Sequence, residues 1–469
     1  MVEPAQQPVF AVVGHPNKGK SSIVATLTRQ DAVKISEISG TTTNAQQFNL
    51  NIDGYTHYSL VDTPGFQRPR QVLAWLQQHG ANAAERSQTV AAFVAQESNQ
   101  PDSKFRDEVE LLQPILDGAG IIYVVDGSLP YSPEFEAEMT ILQWTGNPRM
   151  ALINPIGGEA YVAEWQKALS QYFSVVRVFN PLTADHQKQL LILSAFAELY
   201  EPWRPAIEAT IKTLRGYFQQ LERQGAFMVA EQVQQMVSYV AEIKVPAAFV
   251  REQLQQKLKG DYQNRLRKIE ATLQRQLQVL FAHPEMKTHA EKLNLDYPDL
   301  FDSSHWYLYG LDRQKIVTLS ASAGAAAGAV VDIGLGGSSL LAGALIGGLL
   351  SGAASLYATA NPEKLNINGL PIAGETVTAG PMKELTLIFV VLGRAIDFLD
   401  MILHRTHADR SLAEVSTTTF TKRLENLSKT DQVQLTRLLQ KAHKGLDESE
   451  LVKLRDWVLQ LCKAGEQSE

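Results

Sequence analysis

Gly14-His15-Pro16-Asn17-Lys18-Gly19-Lys20-Ser21 is the stretch on which the reading of this chain turns. It follows the pattern G-x-x-x-x-G-K-S of a phosphate-binding loop. Before it, Val9-Phe10-Ala11-Val12-Val13 is a short apolar run of the kind a buried strand shows; after it, Ser22-Ile23-Val24-Ala25-Thr26-Leu27 opens like a helix. Such a loop requires that strand–loop–helix setting. Its glycines let backbone N–H groups close around phosphate oxygens, and the helix N-terminus adds a favourable dipole at the same place. In this reading Gly14, Asn17, Lys18, Gly19, Lys20, Ser21 and Ser22 line the phosphates. Lys20 reaches the β- and γ-phosphates, and the Ser21 hydroxyl is a ligand for Mg2+.

A second motif, Asp62-Thr63-Pro64-Gly65, follows the apolar stretch Tyr58-Ser59-Leu60-Val61. A carboxylate at a strand end beside the loop can hold the Mg2+ shell through water, and Gly65 offers a backbone N–H to a γ-phosphate. Between the two motifs lies Ile38-Ser39-Gly40-Thr41-Thr42-Thr43-Asn44. A threonine hydroxyl in a mobile loop at this place coordinates Mg2+ only while the γ-phosphate is present, which turns hydrolysis into a conformational signal. The alternative for this stretch is a polar lead-in to the strand Gln47-Phe48-Asn49-Leu50-Asn51-Ile52.

Residues 9–65 resemble the TrmE–Era–EngA group of bacterial GTPases, on G-H-P-N-K-G-K-S, I-S-G-T-T-T and V-D-T-P-G. The resemblance implies an α/β P-loop GTPase domain, a mostly parallel sheet flanked by helices, that hydrolyses GTP to GDP and phosphate. It places Lys20, Thr42 and Gly65 in the catalytic role and Ser21, Thr42 and Asp62 around Mg2+. Asn17 falls where potassium-activated members hold K+ against the phosphates, so K+-assisted hydrolysis is expected. Phe66 stands where Ras-like proteins carry glutamine, which leaves the attacking water to backbone, Mg2+ and K+. Lys18 reads either as a solvated loop charge or as an ammonium that disfavours or replaces K+.

The guanine end departs from the group's pattern. Asn154-Pro155-Ile156-Gly157 follows the apolar strand Met150-Ala151-Leu152-Ile153. In N-K-x-D an aspartate would stand at Gly157 and a lysine at Pro155. Asn154 is kept as a base contact; the missing carboxylate weakens base discrimination. Phe179-Asn180-Pro181 occupies the place of the usual S-A-K. Gly120 to Asp126 adds another buried strand, with Asp126 as a capping carboxylate. The connection from Arg68 to Gly118 is long for such a domain and carries Val72–Leu76 and Val90–Val94 at helical spacing. It reads as an insertion that couples nucleotide state to a partner, or as a surface helix pair.

The chain has 469 residues, 45% hydrophobic and 20% charged, enough for about two to four domains. Its net charge of −7 speaks against a chain-wide nucleic-acid surface: no DNA partner is expected and RNA is not favoured. One cysteine, Cys462, excludes an internal disulfide, and Met1 to Pro8 does not read as a signal peptide. A cytoplasmic setting is expected. The domains read as 1–202, the G domain with its insertion at 68–118; 203–310, amphipathic helices; 311–362, an apolar Gly/Ala-rich hairpin; and 363–469, α-rich. The fold class is thus an α/β GTPase domain followed by a mainly helical half.

In the helical half, Ile207, Ile211, Leu214, Tyr217, Phe218 and Leu221 recur at helical steps, and Val233, Met236, Val237, Val240 and Ile243 repeat the pattern. A basic amphipathic helix is expected over about 248–282. In 316–360, small residues recur every fourth position: Ser320, Gly324 and Gly328, then Ser339, Gly343, Gly347, Ser351 and Ser355. Such stripes let helix backbones approach closely, either in lipid or in a tightly buried hairpin. Asp447-Glu448-Ser449-Glu450 resembles a capping box. Three functions stay open: a GTP-hydrolysing switch acting at the inner face of the membrane or on an integral membrane protein, with a nucleotide-dependent dimer as one form; a GTPase of ribosome assembly or tRNA modification; and a low-turnover nucleotide-binding scaffold.

Overall fold

The computed structural model describes residues 7–29, 45–80, 82–100, 102–184, 186–244, 251–283, 300–301, 376–406 and 419–466. The chain divides into two compact units: Met1–Gln219 with His404–Ser411, and Gln220–Leu403 with Leu412–Glu469.

The first unit is built on a six-stranded sheet of order β2-β3-β1-β4-β5-β6. Its strands are β1 (Val9–Val13), β2 (Gln46–Ile52), β3 (Tyr55–Asp62), β4 (Gly120–Asp126), β5 (Arg149–Asn154) and β6 (Val175–Val178). β2 runs antiparallel to β3, and every other pairing is parallel. A parallel sheet is covered on both faces, so its strands are apolar on both. β4 shows this fully: all seven residues are buried. Alternate side chains serve two cores. Phe10, Val12, Ile122, Val124, Met150 and Leu152 pack with helices α1 (Lys20–Thr28) and α7 (His186–Leu199) and the start of α8 (Arg204–Ser238). Ala11, Val13, Ile121, Tyr123, Val125, Ala151 and Ile153 face the other way, with Phe66. That second face is covered by α2 (Pro69–His79), α3 (Arg86–Ser98), α4 (Arg106–Leu116), α5 (Glu136–Trp144) and α6 (Val162–Leu169).

The two apolar runs expected in the long connection are α2 and α3. The connection also holds α4, whose Leu111, Leu112 and Ile115 are fully buried against the sheet. A proline at position 114 inside α4 had hidden that helix from the spacing.

The second unit contains the end of α8, then α9 (Arg251–Leu280), α10 (Leu385–His404), α11 (Thr419–Glu425), α12 (Lys429–Lys441) and α13 (Glu448–Glu466). The first amphipathic run and the second as far as Val237 lie on one 35-residue helix, α8. That helix stops at Ser238. Ala241–Lys244 is a strand, β7, paired antiparallel with β8 (Thr376–Ala379). Ile243 therefore belongs to a strand and not to the helical repeat, because its partner, rich in β-branched residues, lies far along the chain. α9 buries Leu258, Tyr262, Leu266, Ile269, Leu273 and Leu277 and turns Lys257, Arg265, Lys268 and Arg275 outward. The capping box is reciprocal: Glu450 N–H donates to Asp447 Oδ1 at 3.0 Å and Asp447 N–H to Glu450 Oε2 at 3.1 Å. The Gly/Ala-rich stretch 316–360 lies outside the described residues. Among these, no helix is long and apolar enough to cross a membrane.

α10 is apolar almost all round, as a helix buried on every side must be. Its three charged residues Arg394, Asp397 and Asp400 follow at three-residue steps. Arg394 Nε donates to Glu270 Oε1 at 2.6 Å, and Arg423 Nη2 to Asp400 Oδ2 at 2.5 Å. Asp397 is buried and neither of its carboxylate oxygens has a hydrogen-bond partner. Burial pushes its pKa up to about 8; Arg423 opposes the shift, Asp400 adds to it and Arg394 opposes it. Between the ordinary carboxylate range and about 8 the folded unit keeps a proton that the unfolded chain has released. Stability therefore falls as pH rises through that window, by up to about 1.4 kcal/mol per pH unit. Asp397→Asn stays neutral at every pH. It is expected to unfold at higher denaturant concentration than the wild type at pH 8.5, by about 2–3 kcal/mol relative to the difference at pH 5.5. Parallel pH dependence of the two proteins in urea titrations would show that this carboxyl is not the source.

Candidate phosphate-binding site

The register of the sheet brings four strand ends to one edge. Val12 pairs with Asp62, and Asp126 pairs with Asn154. Side chains at these ends, and the loop after β1, therefore meet where an open α/β sheet places its ligands.

The loop from Gly14 to Gly19 bends sharply between β1 and α1. Gly14 has φ of +141°, and a Cβ there would lie 2.4 Å from the Val124 carbonyl oxygen. Gly19 is left-handed at φ 82°, with no room for a side chain beside Asn154 Nδ2. Asn17 is also left-handed, at φ 62°, and is exposed. α1 starts at Lys20 with no side chain capping its first turn, so its N–H groups there are offered to an anion. Ser22 follows, half-buried in that turn. Lys20 Nζ donates to the carbonyls of Gly14 and His15, each at 3.2 Å, and so lies within the loop. Burial lowers its pKa, opposed by the Asp62 and Glu138 carboxylates.

Ser21 Oγ donates to Asp62 Oδ2 at 2.7 Å. A hydroxyl and a carboxylate are hard oxygen donors of the kind Mg2+ selects. Ser21 would supply the direct ligand and Asp62 would hold the shell; the metal would neutralise charge on the phosphates. Thr42 lies outside the described residues. Thr63 Oγ1 donates to the Val12 carbonyl at 2.8 Å, which ties the D-T-P-G turn to β1. Gly65 sits hard against the loop: a Cβ on it would come within 2.5 Å of Pro16 Cδ. Phe66 is fully buried in the core rather than turned to the site.

At the other end, Asn154 Nδ2 donates to the Lys18 carbonyl at 3.1 Å and so staples the loop to β5. Gly157 carries no side chain to the base; a Cβ there would be 3.4 Å from Ser128 Oγ. Phe179 is buried, and Asn180 Oδ1 accepts from the Leu182 N–H at 2.9 Å, within its own turn. Thr26 Oγ1 donates to the Pro181 carbonyl at 2.8 Å, holding this turn against α1.

Three features escaped sequence reasoning. Lys18 is buried with Nζ 3.8 Å from Asp126 Oδ2, so it is not a solvated loop charge. Asp126 also accepts from the Ser128 N–H and hydroxyl, at 2.9 and 2.6 Å, the capping role expected of it. Buried Glu138 accepts from the Tyr123 hydroxyl at 2.9 Å, and its other oxygen lies 3.1 Å from His15 Nδ1. Glu108 on α4 accepts from the Gln67 N–H at 3.0 Å and the Arg68 N–H at 2.5 Å. The Lys18–Asp126, His15–Glu138 and Glu108 contacts join residues far apart in the chain, which no local spacing reveals.

The model of a family described as 50S ribosome-binding GTPase matches residues 9–134. GTPase Der of Rhodopirellula baltica is 36% identical over 87 residues, 19% of this chain and 19% of that protein. GTPase Der of Mycoplasma pneumoniae is 31% identical over 145 residues, 31% of this chain and 26% of that protein. The matches thus span about a fifth to a quarter of the length of these relatives. Era of Aquifex aeolicus, solved with GDP and AlF4−, is 18% identical and covers 59% of this chain and 90% of its own. Its TM-score of 0.29 is too low to carry an argument. Residues 166–457 match the model of a domain of unknown function, DUF3482. That match takes in well over half of the chain, so the protein belongs to the DUF3482 family, and it carries a P-loop GTPase domain similar to that of GTPase Der at residues 9–134.

Proposed function

We propose that the chain is a GTP-hydrolysing switch: it binds GTP with Mg2+ on Gly14–Ser22, Asp62 and Gly65 and releases GDP and phosphate. The observation that carries this is the meeting of Lys20 inside the loop, Ser21 on Asp62 at 2.7 Å, and Gly65 against Pro16. Together they bring a cation, a pair of oxygens suited to one Mg2+ and a backbone N–H to the same loop. Thr42 completes the Mg2+ set in the GTP-bound form. With Phe66 in the core, the attacking water is held by backbone and cations, and exposed Asn17 is the place for K+. Lys18, drawn back to Asp126, leaves that place open.

The switch acts through the helical half. The small-residue stripes of 316–360 support a membrane surface or membrane-bound partner, at the cytoplasmic face. Action on the ribosome is a second reading, favoured by the description of the family model that matches 9–134. One experiment addresses these together: GTP turnover of the full chain in KCl and in NaCl, with and without anionic liposomes or ribosomes. Turnover in KCl, lost in Lys20→Ala and reduced to the NaCl rate in Asn17→Ala, is expected. Stimulation by liposomes supports the membrane reading and stimulation by ribosomes the second. GTP binding without phosphate release would overturn the hydrolase and leave a scaffold.

The base end gives a sharper test. Guanine discrimination in this fold comes from a carboxylate that accepts two hydrogen bonds, and here the position is Gly157. Its surroundings admit a side chain, with ordinary contact to Ser128 alone. Gly157→Asp is expected to raise the preference for GTP over ATP by about 10- to 100-fold, as hydrogen bonds to a charged acceptor allow. Competition of both nucleotides against a fluorescent GDP measures it. An unchanged ratio would place the base elsewhere.

A further inference from the structure

We infer that Glu108 is a positioning residue for phosphate sensing: it holds the segment after Gly65 in place and makes α4 the element that reads the nucleotide. This rests on the GTPase reading above. Glu108 is fully buried, and only one of its oxygens is used: Oε1 takes both the Gln67 and Arg68 amides, while Oε2 has no hydrogen-bond partner. Burial strips a carboxylate of its hydration, and the two amide hydrogen bonds to Oε1 stand in its place. Those amides lie two and three residues after Gly65, on the only stretch of chain that joins it to α2.

The grip is anchored on the core. α4 is fixed to the sheet by Leu111, Leu112 and Ile115, all fully buried. The same stretch takes further hold of the segment: Arg68 Nη1 donates to the Lys104 carbonyl at 2.8 Å, and Lys104 Nζ to Gln71 Oε1 at 2.8 Å. Two residues further along α4, Glu110 Oε2 accepts from the Ala45 N–H at 3.3 Å. Ala45 is the residue that leads from the Thr42 region into β2. One helix thus holds, by two carboxylates, the backbone after Gly65 and the residue that leads into β2. A contact of Gly65 with a γ-phosphate pulls on Gln67 and Arg68, and the pull arrives at α4.

The test uses the full chain. Glu108→Ala removes the grip; Glu108→Gln keeps an oxygen that accepts from both amides. Affinities for GDP and for a non-hydrolysable GTP analogue are measured with kcat, KM and the thermal midpoint. Glu108→Ala is expected to keep wild-type GDP affinity, to lose its preference for the analogue over GDP, and to lower kcat by about 10-fold or more, the scale on which misplacement of a positioned group acts. Glu108→Gln is expected to restore most of both. A wild-type analogue-to-GDP ratio in a folded Glu108→Ala, or an equal loss of both ligands in Glu108→Ala and Glu108→Gln alike, would overturn the inference. The affinity ratio reads Glu108 even in a wild type that turns over no GTP, so failure of hydrolysis and failure of this inference are separable.

Discussion

Parallel pairing of β1 with both β3 and β4 is the constraint on which the rest of the site depends. It sets Asp62 beside Val12 and, through β5, sets Asn154 beside Asp126. A slip of one residue in any of these pairs would turn the strand's side chains to the opposite face. The cores on the two faces would exchange Phe10 and Val12 for Ala11 and Val13, and the strand-end groups would leave their edge. The register is therefore held by the full apolar content of both faces, and the phosphate loop inherits that rigidity. Gly14 shows how closely: it passes under the Val124 carbonyl with no space for a single carbon more.

Around this loop the fold buries a dense set of charges. Lys18, Lys20, Asp62, Glu108, Asp126 and Glu138 are each nine-tenths or more buried. Ions removed from water are tolerated when they are paired or hydrogen-bonded. Asp126 has Lys18 and the Ser128 turn; Glu138 has Tyr123 and His15; Glu108 has two amides. Lys20 is the cation best placed for a ligand, since its partners in the loop are neutral carbonyls that phosphate oxygens can replace as acceptors. Burial lowers its pKa, and the Asp62 and Glu138 carboxylates oppose that shift. The same carboxylates would repel a polyanion, a repulsion that Mg2+ held by Ser21 in the proposed function would offset.

What was legible in the sequence was what is local. The loop Gly14–Ser21, the turn Asp62–Gly65 and the apolar strands each carry their chemistry within eight residues or fewer, and the structure sets them in the expected elements. Asp126 as a cap and Asp447–Glu450 as a capping box were readable for the same reason. Lys18 was not, because its lysine is indistinguishable from a surface charge until β4 delivers Asp126 to it, over a hundred residues away. Glu108 was hidden inside a helix that Pro114 made hard to see. Ile243 of the strand Ala241–Lys244 fits a helical spacing with Val240 as well as it fits a pleat, and the ribbon partner lies beyond position 370. Periodicity reports which face is apolar; it does not report what the face is apolar against.

The two ends of the site differ in kind, and the difference has a physical origin. The phosphate end is held by backbone: loop amides, a helix terminus and a staple from Asn154 that uses the Lys18 carbonyl. Such contacts follow from chain geometry and persist through many side-chain changes. The base end depends on a side chain, an aspartate, that this chain lacks at Gly157, and its last loop turns Asn180 back on its own amide at Leu182. In the proposed function, such a site would recognise a triphosphate first and a base second. In the proposed switch, selectivity rests on whether a γ-phosphate is present, sensed at Gly65 and passed to α4 through the amides that Glu108 holds. That is the discrimination a switch requires, because GTP and GDP share a base and differ only in the group that the secure end of the site can feel.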